Sequence, residues 1–178
     1  MKKDTILAHV CCAPDALYVL HILQERYDVT GFFYNPNISP EDEYSLRLEE
    51  AKKAADILDL RLIEGPYDSA EWHRLTQKFK TEPEKGKRCD ICYAMRISRT
   101  AQTAAREGFD VFTTVMSLSP WKKADVMNKM GGMFAKKYKI KFLEEDFKKK
   151  DGFKKSTELS KRYGLYRQNY CGCLYSRR

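Results

Sequence analysis

Six cysteines stand in three close pairs: Cys11-Cys12, Cys89-x-x-Cys92 and Cys171-Gly172-Cys173. Thiolates at such spacings hold soft metal ions and iron-sulfur clusters, or cycle between dithiol and disulfide, so metal or redox chemistry is expected. Free cysteines also pack as small hydrophobes, but the pairing of all six weighs against that reading. The first pair follows an apolar run, Ile6 to Val10, and precedes Pro14, which suits the first turn of a helix. This order reads as strand, turn, helix. In an open α/β sheet ligands bind beyond the carboxyl ends of the strands, where this turn would lie. Asp15 stands beside it as an available oxygen ligand. Cys89 and Cys92, three apart at the start of a helix, would point the same way, near the positive end of the helix dipole. The central expectation is that all three pairs converge on one metal-sulfur site.

The rest of the chain must position those thiols. Apolar and β-branched runs predict strands at residues 6–10, 29–33, 60–63, 111–115 and 140–143. Helical periodicity predicts helices over 16–27, from Pro40 to Leu58, over 68–79, from about Cys89 to Gly108 and over 122–137. Such alternation implies an α/β fold: a Rossmann-like, mostly parallel sheet with helices on both faces and right-handed crossovers. After Asp146 the rhythm breaks into a basic segment (148–155), a helix (156–163) and a loop (164–173). The expectation is a single domain over 1–178 whose residues 146–178 form a basic, lid-like tail.

With 178 residues, 43% of them hydrophobic, the chain can bury a proper core without disulfides, so size does not explain the cysteines. Neither a leader nor a run of roughly 18 apolar residues is seen, so a cytoplasmic protein with no membrane contact is expected. In a reducing compartment paired cysteines point to metal binding or redox catalysis. The net charge of +8 is uneven: residues 122–178 carry 17 Lys and Arg against 6 Asp and Glu, giving +11, and the remainder is −3. Nucleic acid is the natural partner for that asymmetry; a solvated lysine-rich face is the plain alternative.

The vicinal pair followed by CxxC resembles the arrangement in assimilatory adenylyl-sulfate reductases. That resemblance implies that Cys11, Cys12, Cys89 and Cys92 hold one 4Fe-4S cluster. Cys171 and Cys173 are then free to form a redox-active dithiol, or to ligate an adjacent iron ion together with Asp15. A different partition gives Cys12 to that second metal and a tail cysteine to the cluster. Zinc is the rival metal, but structural zinc usually takes two short-spaced knuckles, and here one pair is vicinal and a third remains.

Six motifs in the same order resemble the QueH-type epoxyqueuosine reductases. They are His9-x-Cys11-Cys12-Ala13-Pro14, Tyr34-Asn35-Pro36-Asn37-Ile38, Arg88-Cys89-x-x-Cys92, Phe112-Thr113-Thr114 with Ser119-Pro120, Ser160-Lys161 with Tyr163 to Gln168, and Tyr170 to Cys173. The resemblance implies reductive removal of the epoxide oxygen of epoxyqueuosine in tRNA, the last step to queuosine, with an iron-sulfur cluster where an unrelated enzyme uses cobalamin. Deoxygenating an epoxide to an alkene consumes two electrons and two protons and releases water. An external electron donor is implied, and a second redox group beside a one-electron cluster would be useful; Cys171 with Cys173, or an adjacent iron, fits. Asp15, Tyr170 and His9 are the candidate proton donors, although His9 alternates with core residues on a strand and reads better as structural. His21 and His73 are assigned no role. The loops at 34–37, 113–114 and 117–120 lie at the ligand-binding edge. Tyr163, Tyr166, Arg167, Tyr170 and Tyr175 in the basic tail could stack unpaired bases of an anticodon loop. Sulfonucleotide reductases and ATP-using tRNA thiolases would share the sheet, but no Gly-rich phosphate cradle follows Val10. A zinc-containing RNA-binding module without enzymatic activity is the remaining alternative.

Overall fold

Strand β1 (Thr5–Val10) is buried from Ile6 to Val10, as expected for the centre of a parallel sheet covered on both faces. The computed structural model describes residues 2–176; Arg177 and Arg178, part of the basic tail, lie outside the described residues. Four further strands, β2 (Asp28–Phe33), β3 (Arg61–Glu64), β4 (Val111–Thr114) and β5 (Lys141–Phe142), join β1 in the order β3-β2-β1-β4-β5. Every pairing is parallel. The chain therefore reverses direction across the sheet between β1 and β4, the switch point where such sheets open a crevice.

Among the described residues six α-helices surround the sheet: α1 (Ala13–Gln24), α2 (Glu41–Ile57), α3 (Ser69–Thr76), α4 (Lys87–Arg106), α5 (Ala124–Tyr138) and α6 (Gly152–Arg162). Helix α1 packs against α2 and α6, whereas α4 packs against α3 and α5. Right-handed crossovers, run outward from β1 in both directions, put these two groups on opposite faces. The core lies between them and includes Leu7, Leu20, Phe33, Ile97, Phe112 and Met116.

Helix α1 begins at Ala13, directly after Cys12, three residues before the expected start. Pro14 in its first turn explains this, since its fixed φ and missing N–H suit that position. Val115, expected to end β4, joins Ser117 and Leu118, expected in the loop after it, in a buried 3-10 turn, Val115–Leu118. There the Thr114 hydroxyl accepts from the Met116 amide at 3.2 Å. Gly108, at φ +76°, stops α4 where expected.

The tail contains more helix than the sequence suggested, because α6 begins at Gly152 and absorbs half of the basic segment. It lies along α1, where the Ser156 hydroxyl donates to the Pro14 carbonyl at 2.9 Å. The chain then crosses α2. The Tyr166 amide donates to Glu50 at 2.7 Å, and buried Arg47 donates to the carbonyls of Tyr170 at 3.1 Å and Cys171 at 3.2 Å. Among the described residues no helix is long and apolar enough to cross a membrane.

Candidate metal centre

The carboxyl end of β1 places Cys11 and Cys12 at the start of α1, both buried, with their sulfurs 3.7 Å apart. One helical turn along, Asp15 lies 4.0 Å from the Cys11 sulfur. One ligand atom from each of these three residues falls within 4.8 Å of the others, a grouping able to hold a metal ion. Cys89 and Cys92 enter on the first turns of α4, and the tail returns Cys171 and Cys173 across α2. These four thiols and Asp15 border one cavity of about 480 Å³. Cys11 sits just behind its wall, 4.0 Å from both Asp15 and the Lys122 ammonium, which themselves border the cavity. Thiols from the start, middle and end of the chain are thus gathered at the switch point.

Two cations balance this sulfur-rich floor. Arg96 lies one turn beyond Cys92 on α4, with Nη1 3.9 Å from the Cys92 sulfur. It is fixed by a 2.6 Å bond from Nη2 to the Asn35 side-chain oxygen, while the Asn35 amide donates to the Val10 carbonyl at 2.9 Å. Lys122 reaches Cys11 from the loop after β4. A hydrogen bond with the Cys12 thiol and the charges of Lys122 and Arg96 pull Cys11 well below the usual thiol range, against the effect of burial. Hydrogen bonds with Cys173 and Ser176 bring Cys171 down to about 5, although burial opposes them, so it is a thiolate at neutral pH. Cys173 and Cys12 are pushed up correspondingly, each by its partner thiol and by burial. Burial and the neighbouring Cys11 raise Asp15 to about 7.

The donor chemistry fits a thiolate-bound metal group. Six sulfurs and one carboxylate gather beside two cations that offset the charge of deprotonated ligands. Asn37, Trp72, Arg88 and Gln168 each carry a buried polar atom without a hydrogen-bond partner among the described residues, and all four border the same cavity.

Other expected positions divide. Asn37, Ser119, Arg167 and Tyr170 border the cavity. The Tyr170 hydroxyl donates to the Ser39 carbonyl at 2.7 Å, and its ring lies under the Arg47 guanidinium. His9 is fully buried, with Nδ1 3.0 Å from the Thr114 hydroxyl and Nε2 3.0 Å from the Tyr34 carbonyl oxygen. Burial and Arg96 hold it well below the ordinary histidine range, so it is neutral. Tyr166 faces Glu43 on α2, and Tyr175 packs near Trp72. Sequence reasoning passed over Arg96 and Lys122. Arg96 continues the three-four spacing of Cys89 and Cys92, and Lys122 directly follows Ser119-Pro120-Trp121, but neither placement distinguishes these cations from the chain's other Lys and Arg.

A five-stranded parallel sheet with a thiol-rich pocket at its switch point defines a Rossmann-like protein with a candidate metal-sulfur centre. The chain belongs to the QueH family of epoxyqueuosine reductases, a family of oxidoreductases in queuosine biosynthesis. The family model described as "Epoxyqueuosine reductase QueH" matches residues 6–178. Proteins of that name from Streptococcus pyogenes serotype M1 and Thermotoga maritima are similar to it. The first is 37% identical over 180 residues, covering 98% of this chain and 71% of that protein. The second is 38% identical over 175 residues, covering 97% and 90%. The solved structure titled "U34-tRNA thiolase NcsA from Methanococcus maripaludis with its 4Fe-4S cluster" has a similar fold, with a TM-score of 0.64. At 13% identity, covering 100% of this chain and 63% of that one, this likeness shows the fold alone.

Proposed function

We propose that this protein is an epoxyqueuosine reductase, removing the epoxide oxygen of epoxyqueuosine in tRNA with two electrons and two protons to leave the alkene and water. The observation that carries this reading is that Cys89, Cys92, Cys171 and Cys173 border one cavity whose wall residues Asp15 and Lys122 each lie 4.0 Å from the Cys11 sulfur, in a chain of this family. Cys11, Cys12, Cys89 and Cys92 would hold a 4Fe-4S cluster. Cys171 and Cys173 remain for a dithiol, or, with Asp15, for an adjacent iron ion. The grouping of Cys11, Cys12 and Asp15 also supports the partition in which Cys12 joins Asp15 on that ion and a tail cysteine takes its place. When bound, these groups would supply electrons one at a time from an external donor and Lewis-acid polarisation of the epoxide oxygen.

The chain's own residues set the surroundings. Lys122 brings a positive charge to the cavity wall, where negative charge develops as the C–O bond breaks. Asp15, when it is not a ligand, has its carboxyl raised to about 7 and so exchanges a proton near neutral pH within the same wall. Arg167 and Tyr170 offer a guanidinium and an aromatic ring to a base drawn out of an anticodon loop.

The test is anaerobic incubation of iron-reconstituted protein with epoxyqueuosine-bearing tRNA and a strong reductant, followed by nucleoside mass analysis. Conversion to queuosine is expected. Colourless protein that retains zinc, takes up no iron and leaves the epoxide intact would overturn the reading.

A further inference from the structure

Trp121 stands at the mouth of the thiol-lined cavity with 72% of its surface exposed, whereas the other tryptophan, Trp72, is buried at 1%. Single exposed apolar residues are ordinary, so exposure alone says little. Three further observations distinguish Trp121. It borders the same cavity as Cys89 and Cys171. Its backbone is held by a short turn: Pro120 fixes the preceding φ, the Trp121 amide donates to the Ser119 hydroxyl at 3.4 Å, and the Lys122 amide donates to the Ser119 carbonyl at 3.1 Å. Exposed cations lie near it in the fold, since Lys85 borders the same cavity and Lys123, two residues on, donates from its ammonium to the Lys85 carbonyl at 3.5 Å. No aromatic ring of the described residues stacks on the indole.

We propose that Trp121, with Lys85 and Lys123, forms a clamp that stacks an unpaired RNA base next to the one being reduced and meets its phosphate. This rests on the reading that the substrate base lies in an RNA loop. Exposure separates the two nucleotides: the reacting base must reach the buried thiols Cys92 and Cys173, which border the cavity, whereas the indole on the same cavity faces solvent. An indole face accepts any base by stacking, and the exposed Lys85, on the same cavity, and Lys123, two residues along the chain, suit the phosphate of the same nucleotide. An acidic protein surface would satisfy the ammonium groups but leave the flat ring without a partner. A neighbour held at the rim would keep the loop open while the target base is displaced, since unstacking is the cost of that step.

The test uses iron-reconstituted protein and a synthetic, unmodified anticodon stem-loop RNA, so it does not depend on turnover. Saturating RNA should shield the exposed tryptophan emission from acrylamide, because Trp72 is already buried. Trp121→Ala should weaken binding about tenfold or more, and Trp121→Phe should restore most of it. An RNA made abasic at the flanking position should bind the native protein about as weakly as intact RNA binds Trp121→Ala, with little further loss when both changes are combined. Unchanged acrylamide accessibility, or full affinity in Trp121→Ala, would overturn the clamp. Native protein that shields Trp121 on RNA yet leaves the epoxide intact would sink the reductase reading and leave the clamp standing.

Discussion

Lys122 and Cys11, 4.0 Å apart, show at the level of single residues how an otherwise inert buried thiol is kept ready to ligate. An opposite charge at that distance favours the charged form of the thiol. In metal-free protein, the thiolate ultraviolet absorbance step that disappears in Cys11→Ser should therefore move to higher pH in Lys122→Met. An unmoved step would leave the Cys12 thiol and the Arg96 charge as the causes. At the other end of the chain, Cys171 is a thiolate at neutral pH through its bonds with Cys173 and Ser176. If it is part of a redox pair beside the cluster, Cys171→Ser should abolish turnover while most cluster iron stays bound; loss of the iron would make it a cluster ligand instead. All six candidate thiols could be read from spacing. The cations that condition them could not be ranked above other Lys and Arg, because their effect depends on a burial that only the folded chain confers.

The elements divide into those set by local sequence and those set by distant contacts. Strands and their helices followed from hydrophobic period, proline and glycine, and the expected boundaries hold to within a few residues. The path of the tail was hidden, since Arg47, Glu43 and Glu50 look like ordinary charges of an amphipathic helix until the chain more than a hundred residues later lies over them. Gly172 fastens that path at its far end. Its φ is +102°, and a Cβ there would stand 2.8 Å from Ile38 Cγ1 and 3.1 Å from Arg47 Nη1. Gly172→Ala should cost about 1–3 kcal/mol in denaturant unfolding and lower iron retention, by pushing Cys171 and Cys173 off α2. Glu50 fastens the near end. Burial works against its charge, but the Lys53 ammonium and the Tyr166 amide hold its carboxyl below the usual range. A depressed acid contributes stability that is complete above its unfolded value, about 4.3, and is lost as pH falls through the folded one. Glu50→Gln should thus be weaker than native protein by about 1–2 kcal/mol at neutral pH, with the gap closing below about pH 4. A gap that persists undiminished in acid would mean that the carboxylate's charge is not what holds the tail.

For the whole molecule, the uneven charge gains a direction once the fold is known. The lysines of α6 and the segment before it lie on the tail that carries Cys171 and Cys173 toward the cavity, so a polyanion bound there would lie beside the site. The structure also changes which of these lysines can act. Lys148 is already committed, donating to the Ser117 carbonyl at 3.0 Å and paired with Asp146 at 3.0 Å, whereas Lys149, Lys150, Lys154 and Lys155 are exposed. Each ammonium that neutralises a phosphate releases counterions, adding about 0.7–0.9 to the slope of log affinity against log salt. Replacing these four lysines by alanine should weaken tRNA binding most at low salt and flatten that slope by about one unit for every phosphate no longer neutralised, as a filter-binding series over salt would measure. Lys148→Ala should instead lower thermal stability with little change in slope, since its partners lie within the protein. If the fourfold variant kept the native slope, the polyanion would have to approach over the rim at Lys85 and Lys123, and the basic tail would be left as solvated surface.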